Sequence, residues 1–188
     1  MPKNLAIVAI TLLSASAAHA ACPTAADLKT GIVAMTDDGQ VEVHKIAAKD
    51  MIQVDIRYND GTDDGAVMQF GHGIYLRNSI PIEDGVLQIS AQEKFASDAT
   101  LREWAEPEPT TVWYNNRDDG GAASSGPIYA LRIGDCTYDS FDISMHFPDE
   151  PNYVEIYAYV PSLGIGLLTN IIEDGERDRY RYVSIAKK

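Results

Sequence analysis

Apolar and polar residues alternate with a period of two along most of this chain, the period of a strand with one buried face. Val41-Glu42-Val43-His44-Lys45-Ile46 largely follows that pattern, and Met51 to Tyr58 places Ile52, Val54 and Ile56 on one side. Phe141, Ile143, Met145 and Phe147 alternate with Asp142, Ser144 and His146, and Tyr153 to Val160 alternates again. Shorter β-prone runs lie at 31–35, 67–70, 73–77, 86–89, 110–114, 128–133, 165–172 and 180–186. Between them stand Asp37-Asp38-Gly39, Asn59-Asp60-Gly61, Glu83-Asp84-Gly85, Gly134-Asp135 and Glu173-Asp174-Gly175. Asp-Gly tolerates the positive φ angles of the primed turns that suit hairpins. Arg117 to Gly126, rich in small residues, reads as an exposed, mobile loop.

One helical patch interrupts the strands. Ser90 with Glu93, and Thr100 with Glu103, are capping-box pairs, and Leu101, Trp104 and Ala105 share a helical face. Pro107 and Pro109 stop what forms there. The expected fold is mainly β: an antiparallel meander forming a strongly curved sheet or open barrel, with one short broken helix between Ser90 and Glu106 on a face or edge.

The first twenty residues have another purpose. Lys3, the apolar run Leu5 to Leu13 and the small-x-small site Ala18-His19-Ala20 predict a cleavable signal peptide, with Ala21 as the expected mature N-terminus. The run is too short for a permanent membrane span, and no second one follows. Residues 21–188 contain no linker and read as a single β-rich domain. Cys22 raises the alternative of lipid attachment, but such sites usually carry Leu three residues earlier, where this chain has His19. The expected location is therefore periplasmic or secreted. In that compartment Cys22 and Cys136, the chain's two cysteines, are expected to form a disulfide.

Charge narrows the partners. The formal charge is −13, and loss of Lys3 with the leader makes it one unit more negative. Such a surface repels phosphate backbones and, over the molecule as a whole, anionic membranes. Nucleic acid is excluded as an expected partner. A small apolar or amphiphilic ligand is not.

Catalytic and metal-binding patterns are weak. There is no Gly-x-Ser-x-Gly elbow. His44, His72 and His146 sit on separate elements without metal-ligand spacing. His44 and His146 fall on the polar side of their strands and are expected to be exposed, whereas His72 lies between two glycines that permit a sharp bend. Asp60 to Gly65 matches the first half of a calcium loop, but its twelfth position is Gly71, not Glu, so it reads as an acidic turn. No catalytic residue, metal or cofactor is assigned.

The strongest pattern is aromatic. Tyr153, Tyr157 and Tyr159 share one face of a strand, and Tyr180 and Tyr182 share a face of the last strand. If those strands are neighbours, the five rings make either a structural ladder or the wall of a ligand groove. They are the candidate ligand-binding residues.

Tyr159-Val-Pro161-Ser-Leu-Gly164-Ile-Gly166-Leu-Leu, with the acidic turn and aromatic strand that follow, resembles the closing hairpin of bacterial envelope β-proteins. These include LolA-like half-barrel lipoprotein carriers and similar domains of unknown function. The resemblance covers roughly the last thirty residues. It implies acyl-chain binding in the hollow of a curved sheet lidded by helices, although this chain offers one broken helix where several are expected, and it assigns no functional residue. The reading that follows is an exported non-catalytic β-protein that binds an apolar or amphiphilic ligand or an envelope partner. The alternative is an exported hydrolase whose site is assembled from distant residues, with His72 and acids between Asp60 and Asp64 as its only parts.

Overall fold

The computed structural model describes residues 21–94, 103–108, 110–113 and 121–188. The expected leader, the central part of the expected helix at 95–102, Pro109 and residues 114–120 lie outside the described residues. The strands are β1 (Ile32–Thr36), β2 (Val41–Ala48), β3 (Met51–Arg57), β4 (Gly65–Gly71), β5 (Tyr75–Glu83), β6 (Val86–Leu87), β7 (Glu93–Lys94) and β8 (Thr111–Trp113). They continue as β9 (Gly121–Ser125), β10 (Tyr129–Ile133), β11 (Cys136–Phe147), β12 (Glu150–Val160), β13 (Ile165–Glu173), β14 (Glu176–Arg179) and β15 (Tyr182–Lys187).

These strands form two antiparallel sheets, strongly curved and not closed. The first runs β15-β1-β2-β3-β4-β5-β6, with β7 also on β5. The second runs β14-β13-β12-β11-β9-β8, with β10 on the first half of β11. The last strand thus leaves its sequence neighbours and joins the first sheet through β1.

The meander follows from the turn chemistry. His72-Gly73, Asp84-Gly85 and Asp174-Gly175 each place two successive residues at positive φ (49° and 73°, 49° and 75°, 50° and 85°), the conformation of a type I′ hairpin turn. Gly73 also brings the sheets together. Its carbonyl accepts from the Gly166 amide at 2.9 Å, and a Cβ on it would lie 2.2 Å from the Gly164 carbonyl oxygen.

Two cores lie on opposite faces of the second sheet. Val160, Ile165 and Leu167 pack toward the first sheet with Ile32, Ala34, Ile52, Val54 and Phe70. Tyr157 and Tyr159, which alternate with Val160 on β12, face the other way and pack with Phe141, Ile143, Met145, Ile74, Tyr75 and Trp104. β11 passes between the cores. Cys136, Tyr138 and Ser140 are buried in its first half and Phe141, Ile143 and Met145 in its second, so the alternation changes phase at Ser140-Phe141.

The Cys22–Cys136 disulfide is present, with Cα atoms 5.6 Å apart, and ties the N-terminus to β11. The Tyr138 hydroxyl, which donates to the Pro23 carbonyl, holds the same segment.

Three local expectations change. Helix does not form in the described parts of 90–106: Ser90 sits in a 3₁₀ turn (Ile89–Ala91), and Glu93 begins β7, pairing with Ser79 of β5. The free edge of β5 offers backbone partners, and Trp104 is spent as a buried anchor, 1% exposed, whose indole N–H donates to the Tyr75 hydroxyl. The described end of the 117–126 stretch is a strand and not a mobile loop, since β9 is bonded between β8 and β11. Its small side chains permit close packing, with Ala123 fully buried, and the Ser125 hydroxyl bridges the N–H and C=O of Glu108. Lastly, β2 faces the opposite way from its hydropathy. Glu42 and His44 point into the core, because their register sets His44 beside Ile32 and Val54 on the inner face.

Candidate ligand-binding site

The five tyrosines do not form one stripe. Tyr153, Tyr157 and Tyr159 share the second-core face of β12, whereas Tyr182 belongs to β15, which pairs with β1 and not with β12. Most of their hydroxyls are engaged internally. Tyr153 and Tyr157 donate to the two oxygens of Glu155 at 2.9 and 2.8 Å, and Tyr159 donates to the His72 carbonyl at 3.4 Å. Tyr159 is 2% exposed and packs on Phe141 with ring centroids 5.7 Å apart. Burial, and then the Glu155 charge, push the Tyr157 phenol well above its ordinary pKa. Burial also raises the Glu155 carboxyl, against the lowering effect of the two phenol bonds.

A second polar cluster sits inside the first sheet. Glu42 accepts from the Tyr182 hydroxyl, the Gln40 amide and His44 Nε2, each at 2.9 Å. His44 is 1% exposed, so the expectation of a solvent-facing imidazole is overturned. With Nε2–H donating to the carboxylate, Nδ1 is left buried without a hydrogen-bond partner. Burial and the Glu42 charge hold the Tyr182 phenol well above its usual range. Glu42, His44 and Tyr182 are buried and Gln40 is half-buried at the edge, so the cluster has the character of a structural network.

The parts named for a hydrolase do not assemble. His72 is the first central residue of its type I′ turn; its backbone N–H donates to the Asp50 carbonyl, and its carbonyl, not its ring, meets Tyr159. Asp60 Oδ1 accepts from the amide and hydroxyl of Thr62, an Asx turn that lowers the Asp60 pKa through those bonds. Among the described residues no group of three His, Cys, Asp or Glu is placed to hold a metal ion. His146 is exposed, as expected.

What the fold does assemble is a groove of about 770 Å³ where β13, β14 and the entry to β15 meet β10. Leu131, Ile133 and Leu167 line its apolar part, and the last two are each 1% exposed members of the first core. Arg132, Arg177, Arg179 and Arg181 also line it. These are four of the chain's eight arginines, and no Asp or Glu lines the groove in a chain that has 28 of them.

The strand period explains the placement. Arg177 and Arg179 share a face of β14 beside Ile172 and Asn170, while Glu176 and Asp178 take the other face. Ion pairs at Lys45–Asp55, Lys49–Asp50 and Lys187–Asp27 lie elsewhere. Tyr180, its amide bonded to the Thr169 carbonyl, and Tyr182 complete the lining. These two are the sequence-nominated tyrosines that reach this groove.

The arginines were missed as site residues. The signal available was Arg177-x-Arg179-x-Arg181, three like charges at strand spacing. Arg132 could join them only through the fold.

No protein-family model, curated protein or solved structure matches the chain.

Proposed function

We propose that the chain is an exported, non-catalytic β-protein that binds an amphiphilic small molecule in the groove between its sheets. The observation that carries this reading is the groove's composition: an apolar floor continuous with the core beneath a strongly polar rim. Its volume lies within the roughly 300–1,000 Å³ of small-molecule sites. Export is supported by the disulfide, a bond that persists in oxidising compartments. The hydrolase alternative required His72 to meet the acids of Asp60 to Asp64, and their placement at opposite ends of β4 argues against that. The reading keeps the amphiphile implied by the LolA-like hairpin and replaces a lidded hollow with an open groove.

The test is Nile red binding and native mass spectrometry on protein secreted with its own leader. Enhanced dye fluorescence, displaced by a dodecyl amphiphile at one molecule per chain and lost in Leu131→Asp, is the expected result. Folded wild-type protein that neither enhances the dye nor retains an amphiphile overturns the reading.

A further inference from the structure

Resting on the proposed amphiphile groove, we infer that its ligand carries a phosphate-type anionic head, held by the arginines of β14 and its continuation. The charge distribution is the first reason. Outside the groove, acidic residues fill most turns of the chain; inside it, the lining holds four arginines and no carboxylate. A surface shaped only for solubility intersperses both signs. Here one sign is sorted out of an otherwise acidic molecule into one concavity.

The second reason is the residue type. All four cations are arginine, and the chain's lysines are absent from the lining. A planar guanidinium binds phosphate and carboxylate bidentately, which lysine cannot do.

The third reason is geometry. Arg177 and Arg179 are side by side on one face, and two residues of strand advance about 6.6 Å. Two guanidiniums at that spacing can close on one tetrahedral anion from two directions. The same strand keeps Glu176 and Asp178 on its other face, so the local carboxylates do not neutralise the pair. Close by, the half-buried Leu131 presents apolar surface for a tail, backed by the core residues Ile133 and Leu167. The like charges repel one another in the free protein, and a bound dianion relieves that repulsion. Binding is therefore expected to be sensitive to salt over a Debye length of about 10 Å at 0.1 M.

The experiment uses full-length secreted protein and three probes: monomeric dodecyl phosphate, dodecyl maltoside with the same tail and no charge, and inorganic pyrophosphate with no tail. The variant is Arg177→Gln/Arg179→Gln, two exposed positions whose change leaves the cores untouched. Dodecyl phosphate is expected to bind best, to weaken roughly 10- to 100-fold in the double variant as charge-assisted bonds are lost, and to weaken with added salt. Dodecyl maltoside bound as tightly as dodecyl phosphate, with no change in the variant, overturns this inference and leaves the amphiphile reading standing. Pyrophosphate bound as tightly as dodecyl phosphate, and lost in the variant, keeps the anion site and overturns the amphiphile. If none of the three binds to folded protein, both are wrong.

Discussion

Glu42 is the residue whose removal tests the reasoning about the first core most severely. It is 5% exposed and is the acceptor for three side-chain donors, on Gln40, His44 and Tyr182. Glu42→Ala removes the acceptor of all three, leaves the buried donors of His44 and Tyr182 unpaired, and opens a void between Ala34 and Ile56, its cross-strand neighbours. A buried donor left without a partner costs about 1–3 kcal/mol. Gln40 is partly exposed and recovers water, so the expected loss comes from the two buried donors and is on the order of 4 kcal/mol. Glu42→Gln keeps an oxygen for Tyr182 but presents an amide N–H₂ to His44. The imidazole must then accept at Nε2 and carry its proton on Nδ1, which has no partner. That variant is expected to lose about 1–3 kcal/mol.

Urea unfolding at neutral pH, with the disulfide intact, measures both variants. A double-mutant cycle with Tyr182→Phe isolates the shared bond and is expected to be non-additive by more than about 0.5 kcal/mol. Replacing Glu42, His44 and Tyr182 together by Leu, Val and Phe leaves no stranded donor, and is expected to be near neutral or stabilising. A Glu42→Ala variant within about 0.5 kcal/mol of wild type, or a strictly additive cycle, would refute the account of this network.

Three further outcomes follow from named contacts. Cys22→Ser/Cys136→Ser should lower stability by up to about 5 kcal/mol, because the bridge closes 114 residues of chain, and leave the strand content by circular dichroism unchanged. Gly73→Ala should cost on the order of 3 kcal/mol in the same urea assay, since its φ of 73° and the Gly164 carbonyl at 2.2 Å both exclude a Cβ; an Ala variant as stable as wild type would dissolve the claimed sheet junction. Glu155 is raised by burial, so the folded state holds its proton longer than the unfolded chain does; stability should fall as pH rises from about 4.5 through the folded value, and Glu155→Gln should remove that slope in unfolding curves measured from pH 4 to 8.

The strands were legible in the sequence because alternation and turn chemistry agreed. Asp84-Gly85 and Asp174-Gly175 form type I′ turns as their sequence suggests, whereas at Asp38-Gly39 and Asp60-Gly61 only the glycine takes a positive φ; the alternation of Phe141 to Phe147 is the alternation of burial. What was not legible depended on partners distant in sequence. β2 hides Glu42 and His44 because β1, β3 and β15 supply both the apolar surroundings and the Tyr182 donor; hydropathy alone favours the opposite face. The capping-box signals at Ser90 and Thr100 are local, and around Ser90 they lost to the backbone edge of β5. The tyrosine stripe failed for the same kind of reason. It needed β12 and the last strand to be neighbours, and the last strand crosses to the other sheet.

That crossing also links the Glu42 network with the arginine groove. Tyr182 lines the groove, and its hydroxyl ends on the buried Glu42. The chain entering β15 is thus fixed on one side by a network in the core, while Arg177, Arg179 and Arg181 approach the groove from the segment just before it. Two ways of losing ligand are then physically distinct. Removing Arg177 and Arg179 takes away charge, so the affinity that remains should depend less on salt, with stability unchanged. Removing the Glu42 acceptor leaves every groove charge in place and frees the phenol behind them, so affinity should fall together with stability while its salt dependence stays as in the wild type. Salt slopes measured on folded Arg177→Gln/Arg179→Gln and Glu42→Ala proteins separate the two. Equal slopes for all three proteins would mean that the β14 arginines do not supply the electrostatic part of binding.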